Sequence, residues 1–332
     1  MSKQIRDRID GIVGIVPTPS TPGSDDWRAS DTIAVAESAS MAARIVDAGV
    51  DVLLTNGTFG EASTLTEREL YTFNATVVEA IAGRVPLFAG CTTLNTRDTI
   101  TRARELVRLG VDGLFLGRPM WLPLDEAQIV TYYRSIAEAL GDVPIVVYDN
   151  ELAFKGAIPA RAYEQLAEIP QIVGSKHTGI VSDRMAYTEA MAAIGGRFPL
   201  LPMLTQWVRT TEAFPGRVPA AWCGDVAAGP EPAIALRDAL ASGNADRIAE
   251  VDADIRWASE TKFPEDGFEA FMQYSIQINR EEFREAGFIT PGPSRPPYIG
   301  APVNYLEGGA EDGRRWRSLR EKYGATITAP VS

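Results

Sequence analysis

Lys176 closes the run Ile172-Val173-Gly174-Ser175, which reads as a buried strand. A lysine at such a strand end points into a core or a cleft, and burying an unpaired ammonium is costly. Desolvation lowers its pKa from about 10.4 toward neutrality, and the free amine can then attack a carbonyl carbon. Taken alone, Lys176 is better read as an outward lysine in a salt bridge. Its company changes that reading. Tyr148 ends the preceding apolar run and carries a phenol of pKa about 10, usable as a proton shuttle beside an amine. Alone, it too has a plainer reading, a barrel-mouth aromatic with a satisfied hydroxyl. Upstream stands Gly57-Thr58-Phe59-Gly60-Glu61. Its two glycines flank a tight turn that can turn backbone N–H groups toward an anion, and Thr58 adds a hydroxyl. A single G-x-x-G turn is otherwise an ordinary loop. The three together supply an amine for a carbonyl, a phenol for a proton and a turn for a carboxylate.

Composition removes the main competitors. The chain has 332 residues, a formal charge of −12 and one histidine, His177. One histidine is too few for a His-rich zinc site, and no G-x-S-x-G elbow supports a Ser-His-Asp triad. No G-x-x-x-x-G-K-[ST] loop is present, nor a G-x-G-x-x-G after a strand, so a nucleotide cofactor is not expected. The two cysteines, Cys91 and Cys223, follow no metal or redox spacing, and no metal is expected. Basic residues are scattered through an acidic chain, which argues against nucleic acid and anionic membrane surfaces as partners. The charged N-terminus lacks an apolar signal region, and no run approaches the roughly 18 apolar residues of a membrane span. A cytoplasmic location is the default expectation.

Eight short apolar runs must position these groups: Ile12–Val16, Val52–Leu54, Leu87–Ala89, Leu114–Leu116, Ile145–Tyr148, Ile172–Gly174, Leu200–Met203 and Ala220–Cys223. They are too short for buried helices and lie about 30 residues apart, the rhythm of eight βα units. The intervening helices carry their own start signals. Thr66 and Glu69 form a capping box ahead of Leu70, Phe73, Val77 and Ile81. Asn95 caps a stripe of Ile100, Ala103 and Leu106 that Gly110 ends, and Asp125 opens a third helix with Ile129, Tyr133, Ile136 and Leu140. Pro159 and Pro232 sit where a first helical turn tolerates proline. The expected fold is an α/β (β/α)₈ barrel over residues 1–242. Residues 243–332 are expected to add helices to about Gly287 and then an extended Pro-rich tail, within the same domain. Active sites of such barrels lie at the C-terminal strand ends. Those ends are Gly57–Glu61, Gly117-Arg118-Pro119-Met120-Trp121, Tyr148-Asp149-Asn150 and Ser175-Lys176-His177.

At this point a resemblance carries the reading further. Gly57-Thr58-Phe59-Gly60-Glu61 is similar to the G-[ST]-T-G-E motif of the dihydrodipicolinate synthase/N-acetylneuraminate lyase family. Tyr148 and Lys176 match that family's catalytic Tyr and Schiff-base Lys in type and spacing. The family resemblance covers about Gly11 to Asn244. The departures point to one branch. Phe59 replaces a hydroxyl residue of the turn. Trp121 stands where the synthases carry a Tyr. Glu151-Leu152-Ala153-Phe154 lacks the Arg with which the synthases grip a second substrate. Pro17–Pro22, Asp26-Trp27-Arg28, Pro119-Met120-Trp121, Tyr148-x-Asn150, Ala153-Phe154-Lys155 and Gly292-Pro293-Ser294-Arg295-Pro296-Pro297-Tyr298 resemble the family's hydratase-aldolases. Those enzymes cleave aryl-substituted 2-oxobut-3-enoates, the benzylidenepyruvates, in the degradation of polycyclic aromatic compounds.

The resemblance implies a cofactor-free lyase. The substrate carboxylate rests on Gly57, Thr58 and Phe59, and Lys176 forms an imine with C2. Asn150 positions a water, while Tyr148 with Thr58 moves the proton for cleavage. Phe59 and Trp121 are the first candidates for the aryl wall, followed by Phe268 and Phe271. For each the plainer alternative is core packing. Strand alternation turns His177 away from the Lys176 side, which favours a packing role over a hydrogen bond to an ortho substituent. Glu61 is expected to hold the turn in shape; Arg118 and Arg295 could pair with a substrate carboxylate, but surface or subunit ion pairs are the favoured reading. The family precedent is a homotetramer. Two rivals remain: a Schiff-base aldolase acting on a sugar acid, which would want polar groups at Phe59 and Trp121, and a ligand-sensing barrel without catalysis.

Overall fold

The computed structural model describes residues 9–177 and 184–327. Strands and helices alternate along it. The first half holds β1 (Gly11–Ile15), α1 (Val35–Asp47), β2 (Val52–Thr55), α2 (Glu67–Ile81), β3 (Leu87–Gly90), α3 (Thr96–Leu109), β4 (Gly113–Leu116) and α4 (Glu126–Leu140). The second holds β5 (Ile145–Tyr148), α5 (Ala160–Leu166), β6 (Ile172–Lys176), α6 (Arg184–Ala193), β7 (Leu200–Leu201), α7 (Trp207–Ala213) and β8 (Ala220–Cys223). Four more helices follow: α8 (Glu231–Ser242), α9 (Ala245–Ser259), α10 (Phe268–Ala286) and α11 (Val303–Ile327).

The strands form one sheet in the order β7-β6-β5-β4-β3-β2-β1-β8, with parallel pairing. Met203, just past β7, bridges Trp222 of β8, and the Trp222 N–H donates to the Pro202 carbonyl at 2.9 Å. That bridge brings the sheet's two ends together into the (β/α)₈ barrel. Every strand residue is buried. Such burial is why the strands read as continuous apolar runs rather than alternating ones.

Local chemistry explains the element ends. Thr66 accepts from the Glu69 N–H in a complete capping box, and Asp125 with Gln128 forms another. Asn95 caps α3, and Gly110 ends it in the left-handed conformation. Pro232 lies in the first turn of α8 as expected, whereas Pro159 is the N-cap of α5, one step earlier than expected. The run Leu200–Met203 shrinks to a two-residue strand because Pro202 has no N–H to give a ladder. The run Ile172–Gly174 extends instead to Lys176, so the lysine belongs to the strand itself.

By its contacts the chain divides into two compact units. One comprises the described parts of Met1–Val13, Asp51–Thr55 and Val85–Trp222; the other comprises those of Gly14–Val50, Asn56–Arg84 and Cys223–Ser332. Within the second unit the Pro-rich stretch is free of regular helix as expected, but the chain beyond it is not an extended tail. After the segment 288–302 the chain forms α11, which packs along α10. A Cβ at Gly309 would lie 2.4 Å from the Ile278 carbonyl oxygen, and one at Gly313 would lie 2.2 Å from that of Glu282. Glycines therefore let the two helix backbones approach closely. Trp316, fully buried, donates from Nε1 to the Gly229 carbonyl at 2.7 Å. Lys262 lies buried among Asp225, Glu282 (2.9 Å) and Asp312 (3.3 Å), which ties α10 and α11 to the chain after β8. Residues 328–332 of the expected tail lie outside the described residues.

Candidate active site

In the strand-bearing unit, Lys176 ends β6 with 2 % of its surface exposed. The outward, salt-bridged alternative therefore fails, and among the described residues no carboxylate ion-pairs with it. Its Nζ lies 3.7 Å from the ring centroid of Trp222 and 4.8 Å from that of Tyr148. Aromatic faces attract an ammonium, but they solvate it far less than water does. Burial pushes the Lys176 amine down to about 7, with the Asp149 charge pulling the other way. A lysine at that value is free amine for a large fraction of the time at neutral pH.

Tyr148 is the register partner of Lys176 on β5. Its ring stacks on Phe115 at 4.5 Å and meets the edge of Phe154 at 5.1 Å. Asn150 donates from Nδ2 to the Tyr148 hydroxyl at 3.2 Å, and its Oδ1 accepts the Ala153 N–H at 3.0 Å. The amide is thus held by the turn it starts and oriented toward the phenol. Ser175 faces the other way, its hydroxyl 2.9 Å from that of Tyr163 on α5. Alternation along β6 then sets Lys176 opposite Ser175.

Behind these groups lies a buried ion pair. Asp149 accepts from Arg118 at 2.9 Å and from the Tyr163 hydroxyl at 3.0 Å, while Arg118 also donates to the Gly156 carbonyl. Arg118 was expected at a surface or subunit contact; it is buried, and this pair occupies it. The His177 ring packs edge-on against Tyr187 of α6 at 5.1 Å, and its carbonyl accepts from the Trp222 indole N–H at 2.7 Å. Trp121 lies in the loop after β4, 75 % exposed.

The second unit holds the glycine turn. Gly60 cannot carry a side chain, because a Cβ would lie 2.4 Å from the Asn56 nitrogen. Its carbonyl accepts from the Thr18 hydroxyl at 2.8 Å, the Thr58 carbonyl from the Glu61 N–H at 3.0 Å, and the Gly57 carbonyl from the Ala62 N–H at 3.2 Å. Glu61 is buried and accepts from Arg280 at 2.6 Å and Arg295 at 3.1 Å. Arg295, also expected at a surface or subunit pair, is an interior residue. Phe59 and Phe268 join Phe271 in one aromatic cluster, at centroid distances of 6.4 and 5.9 Å. Phe271 is at its buried centre and Phe268 at its edge, 39 % exposed.

Sequence reasoning missed four members of these groups. Trp222 stood in plain view at the end of the eighth run. Asp149 lay between two residues already singled out. Phe263, 4.8 Å from Phe271, and Arg280 gave no signal, since a lone aromatic and an arginine inside a helix are commonplace.

The chain is similar to known proteins over nearly its whole length. Residues 13–201 match the sequence model of the dihydrodipicolinate synthetase family. The chain is 58 % identical over 322 residues to trans-2'-carboxybenzalpyruvate hydratase-aldolase of Nocardioides sp. (strain KP7), covering 97 % of each chain. It is 37 % identical over 326 residues to trans-O-hydroxybenzylidenepyruvate hydratase-aldolase of Pseudomonas aeruginosa, covering 97 % of this chain and 96 % of that one. A solved structure described as PhdJ bound to substrate intermediate matches with a TM-score of 0.93 at 49 % identity, covering 96 % of this chain and 98 % of that one.

Proposed function

The chain belongs to the dihydrodipicolinate synthetase family, and from that premise we propose that it is a Schiff-base hydratase-aldolase cleaving trans-4-aryl-2-oxobut-3-enoates to an aromatic aldehyde and pyruvate. The observation that carries the chemistry is the Lys176 amine, buried against Trp222 and Tyr148 and brought down to about 7. The substrate class rests on end-to-end identity with hydratase-aldolases named for benzylidenepyruvates. The higher identity favours an ortho-carboxylate on the ring over an ortho-hydroxyl.

Lys176 Nζ adds to C2 and water leaves, which forms a protonated imine. The imine draws electrons through C3=C4 and makes the benzylic carbon electrophilic. A water held by Asn150 bonds to C4, and C3 takes a proton. Tyr148, with the Thr58 hydroxyl as relay, removes the C4 hydroxyl proton. The C3–C4 bond then breaks, its electrons pass to the imine, and the aryl aldehyde leaves. The remaining enamine is protonated at C3, and a second water hydrolyses the imine to free pyruvate. The net reaction consumes one water, with the imine as electron sink in both halves. We assign the substrate carboxylate to Gly57, Thr58 and Phe59 on the family motif, and the aryl ring to Phe59 and the phenylalanines packed with it. Trp121 and His177 remain candidates for the ring and its ortho substituent. A homotetramer and a cytoplasmic location belong to the same proposal; no described helix is long and apolar enough to cross a membrane.

Borohydride reduction in the presence of pyruvate, read by intact mass and peptide mapping, tests the imine. An adduct on the peptide carrying Lys176 is expected, and its absence would overturn the proposal. Loss of the enone absorbance of ortho-carboxy and ortho-hydroxy benzylidenepyruvates, compared by kcat/KM, tests the substrate. No loss with either would leave the sugar-acid aldolase as the better reading.

A further inference from the structure

Glu61 has φ 57° and ψ 32°, the left-handed conformation that an L side chain keeps only where its surroundings fix it. What fixes it is a buried network built from three distant stretches of chain. Arg280 of α10 donates to Glu61 at 2.6 Å, to the Thr18 carbonyl at 3.1 Å, to the Ser20 hydroxyl at 3.0 Å and to the Gly292 carbonyl at 2.9 Å. Arg295 donates to Glu61 at 3.1 Å, to the Thr18 and Pro19 carbonyls at 3.0 and 3.2 Å, and to the Thr32 hydroxyl and carbonyl at 2.6 and 3.0 Å. The Thr32 hydroxyl in turn donates to Glu69 at 2.5 Å. Both guanidiniums thus bond to Glu61, and Arg295 is linked to Glu69 through the Thr32 hydroxyl. The Pro-rich segment enters it by close approach: a Cβ at Gly292 would lie 2.1 Å from the Ser20 carbonyl oxygen, and the Ser20 hydroxyl donates to Pro293 at 2.6 Å.

The two arginines converge on the residue that ends the glycine turn. Buried arginines bonded to one carboxylate along separate directions fix its position more strictly than packing does. We propose that Arg280 and Arg295 are positioning residues for the substrate carboxylate, acting through Glu61 to hold the Gly57–Glu61 turn in its anion-binding shape. This deepens the proposed function and rests on its assignment of the carboxylate to that turn. It makes the segment 288–298 and α10 part of the site's architecture rather than a mere covering.

Schiff-base trapping at Lys176 with pyruvate and with methyl pyruvate, each reduced by borohydride across a concentration series, separates positioning from bulk stability. Both ketones offer a C2 carbonyl, and only pyruvate offers the turn an anion. The unsubstituted protein is expected to trap pyruvate at concentrations about tenfold or more below those for the ester. Arg295→Lys and Glu61→Gln are expected to bring the two close to parity by raising the concentration needed for pyruvate, with the ester unchanged. Thr18→Val removes only the hydroxyl that holds the Gly60 carbonyl and keeps every charge. It is expected to fold even where the other two do not, and to narrow the preference in the same direction. Folded variants that keep the full preference for pyruvate, or that lose acid and ester trapping in parallel, overturn the positioning role and leave the carboxylate assignment standing. Equal trapping of acid and ester by the unsubstituted protein overturns the assignment and this proposal with it.

Discussion

Tyr148 stands directly opposite Lys176 on adjacent parallel strands because β6 carries one extra residue. Ile145 pairs with Ile172, but Val146 pairs with Gly174, so Val173 is the slip. Without it Tyr148 would lie opposite Ser175, whose hydroxyl is turned toward Tyr163. A one-residue shift reverses the face taken by every later side chain. The irregularity therefore places phenol and amine on one rung and one face, with the Trp222 ring beside them.

The depressed pKa of Lys176 makes two expectations of opposite sense. Its free amine is the reacting form, so adduct formation with pyruvate should rise with pH through about 7 and level off above. Stability follows the unfolded chain, whose lysine binds its proton up to about 10.5. Between about 7 and 10.5 the unfolded state holds more protons than the folded one, so this group's contribution to stability increases with pH across that window. Lys176→Met removes the cost, which at about 1.4 kcal/mol per unit amounts to about 5 kcal/mol at most. Urea unfolding at pH 7 should show the variant more stable, with the gain shrinking by pH 10. A variant no more stable at pH 7 would mean that the amine is not depressed.

Tyr148→Phe keeps the ring between Phe115 and Phe154 and removes only the hydroxyl that Asn150 contacts. Stability should change little. Turnover of benzylidenepyruvates should fall by about 10²- to 10⁴-fold, the range for loss of a positioned proton-transfer group. Borohydride trapping of pyruvate at Lys176 should persist. Full turnover with the Phe variant would remove Tyr148 from the proton path.

How much of this was readable beforehand depends on what each residue is for. Lys176 and Tyr148 were legible as candidates only together and beside the Gly57–Glu61 turn, since a lone lysine or tyrosine ending an apolar run has a plainer reading, and the strands around them carry a continuous apolar signal. The slip at Val173 was not, since register belongs to pairing between strands and not to either one alone. Helix α11 was hidden because the buried face of its first half uses Gly309, Asp312 and Gly313, where periodicity analysis looks for leucine, and the apolar stripe begins only at Trp316, Leu319 and Tyr323. Arg280 and Arg295 were hidden for a related reason: arginine is by default a surface residue, and only the fold shows that Glu61 is there to receive them.

Asp149→Asn separates an electrostatic influence on Lys176 from a structural one. The Asp149 charge favours the ammonium, so its removal should move the Lys176 titration below about 7. The same change strips Arg118 of its partner, 2.9 Å away and buried, and breaking a buried pair costs about 3–5 kcal/mol. The expected result is a lower Tm together with a pyruvate-trapping profile shifted toward acid. A profile that stays in place or moves upward would show that Asp149 acts on Lys176 through structure alone.

Phe59 and Phe271 belong to one aromatic cluster yet should answer differently to truncation. Phe271 is 2 % exposed and touches Phe263 and Phe268 as well. Phe271→Ala removes a core ring and should cost about 3–5 kcal/mol of stability. Phe59 is only half-buried, on a turn whose backbone is held by Thr18 and Glu61 rather than by its own ring. Phe59→Leu should leave stability nearly unchanged and raise KM for benzylidenepyruvates about tenfold, the size of a lost aromatic contact. Pyruvate has no ring, so its trapping at Lys176 should be unaffected. A Phe59 variant that loses both aryl substrate and pyruvate equally would show that the residue shapes the turn rather than lining the place where the ring binds.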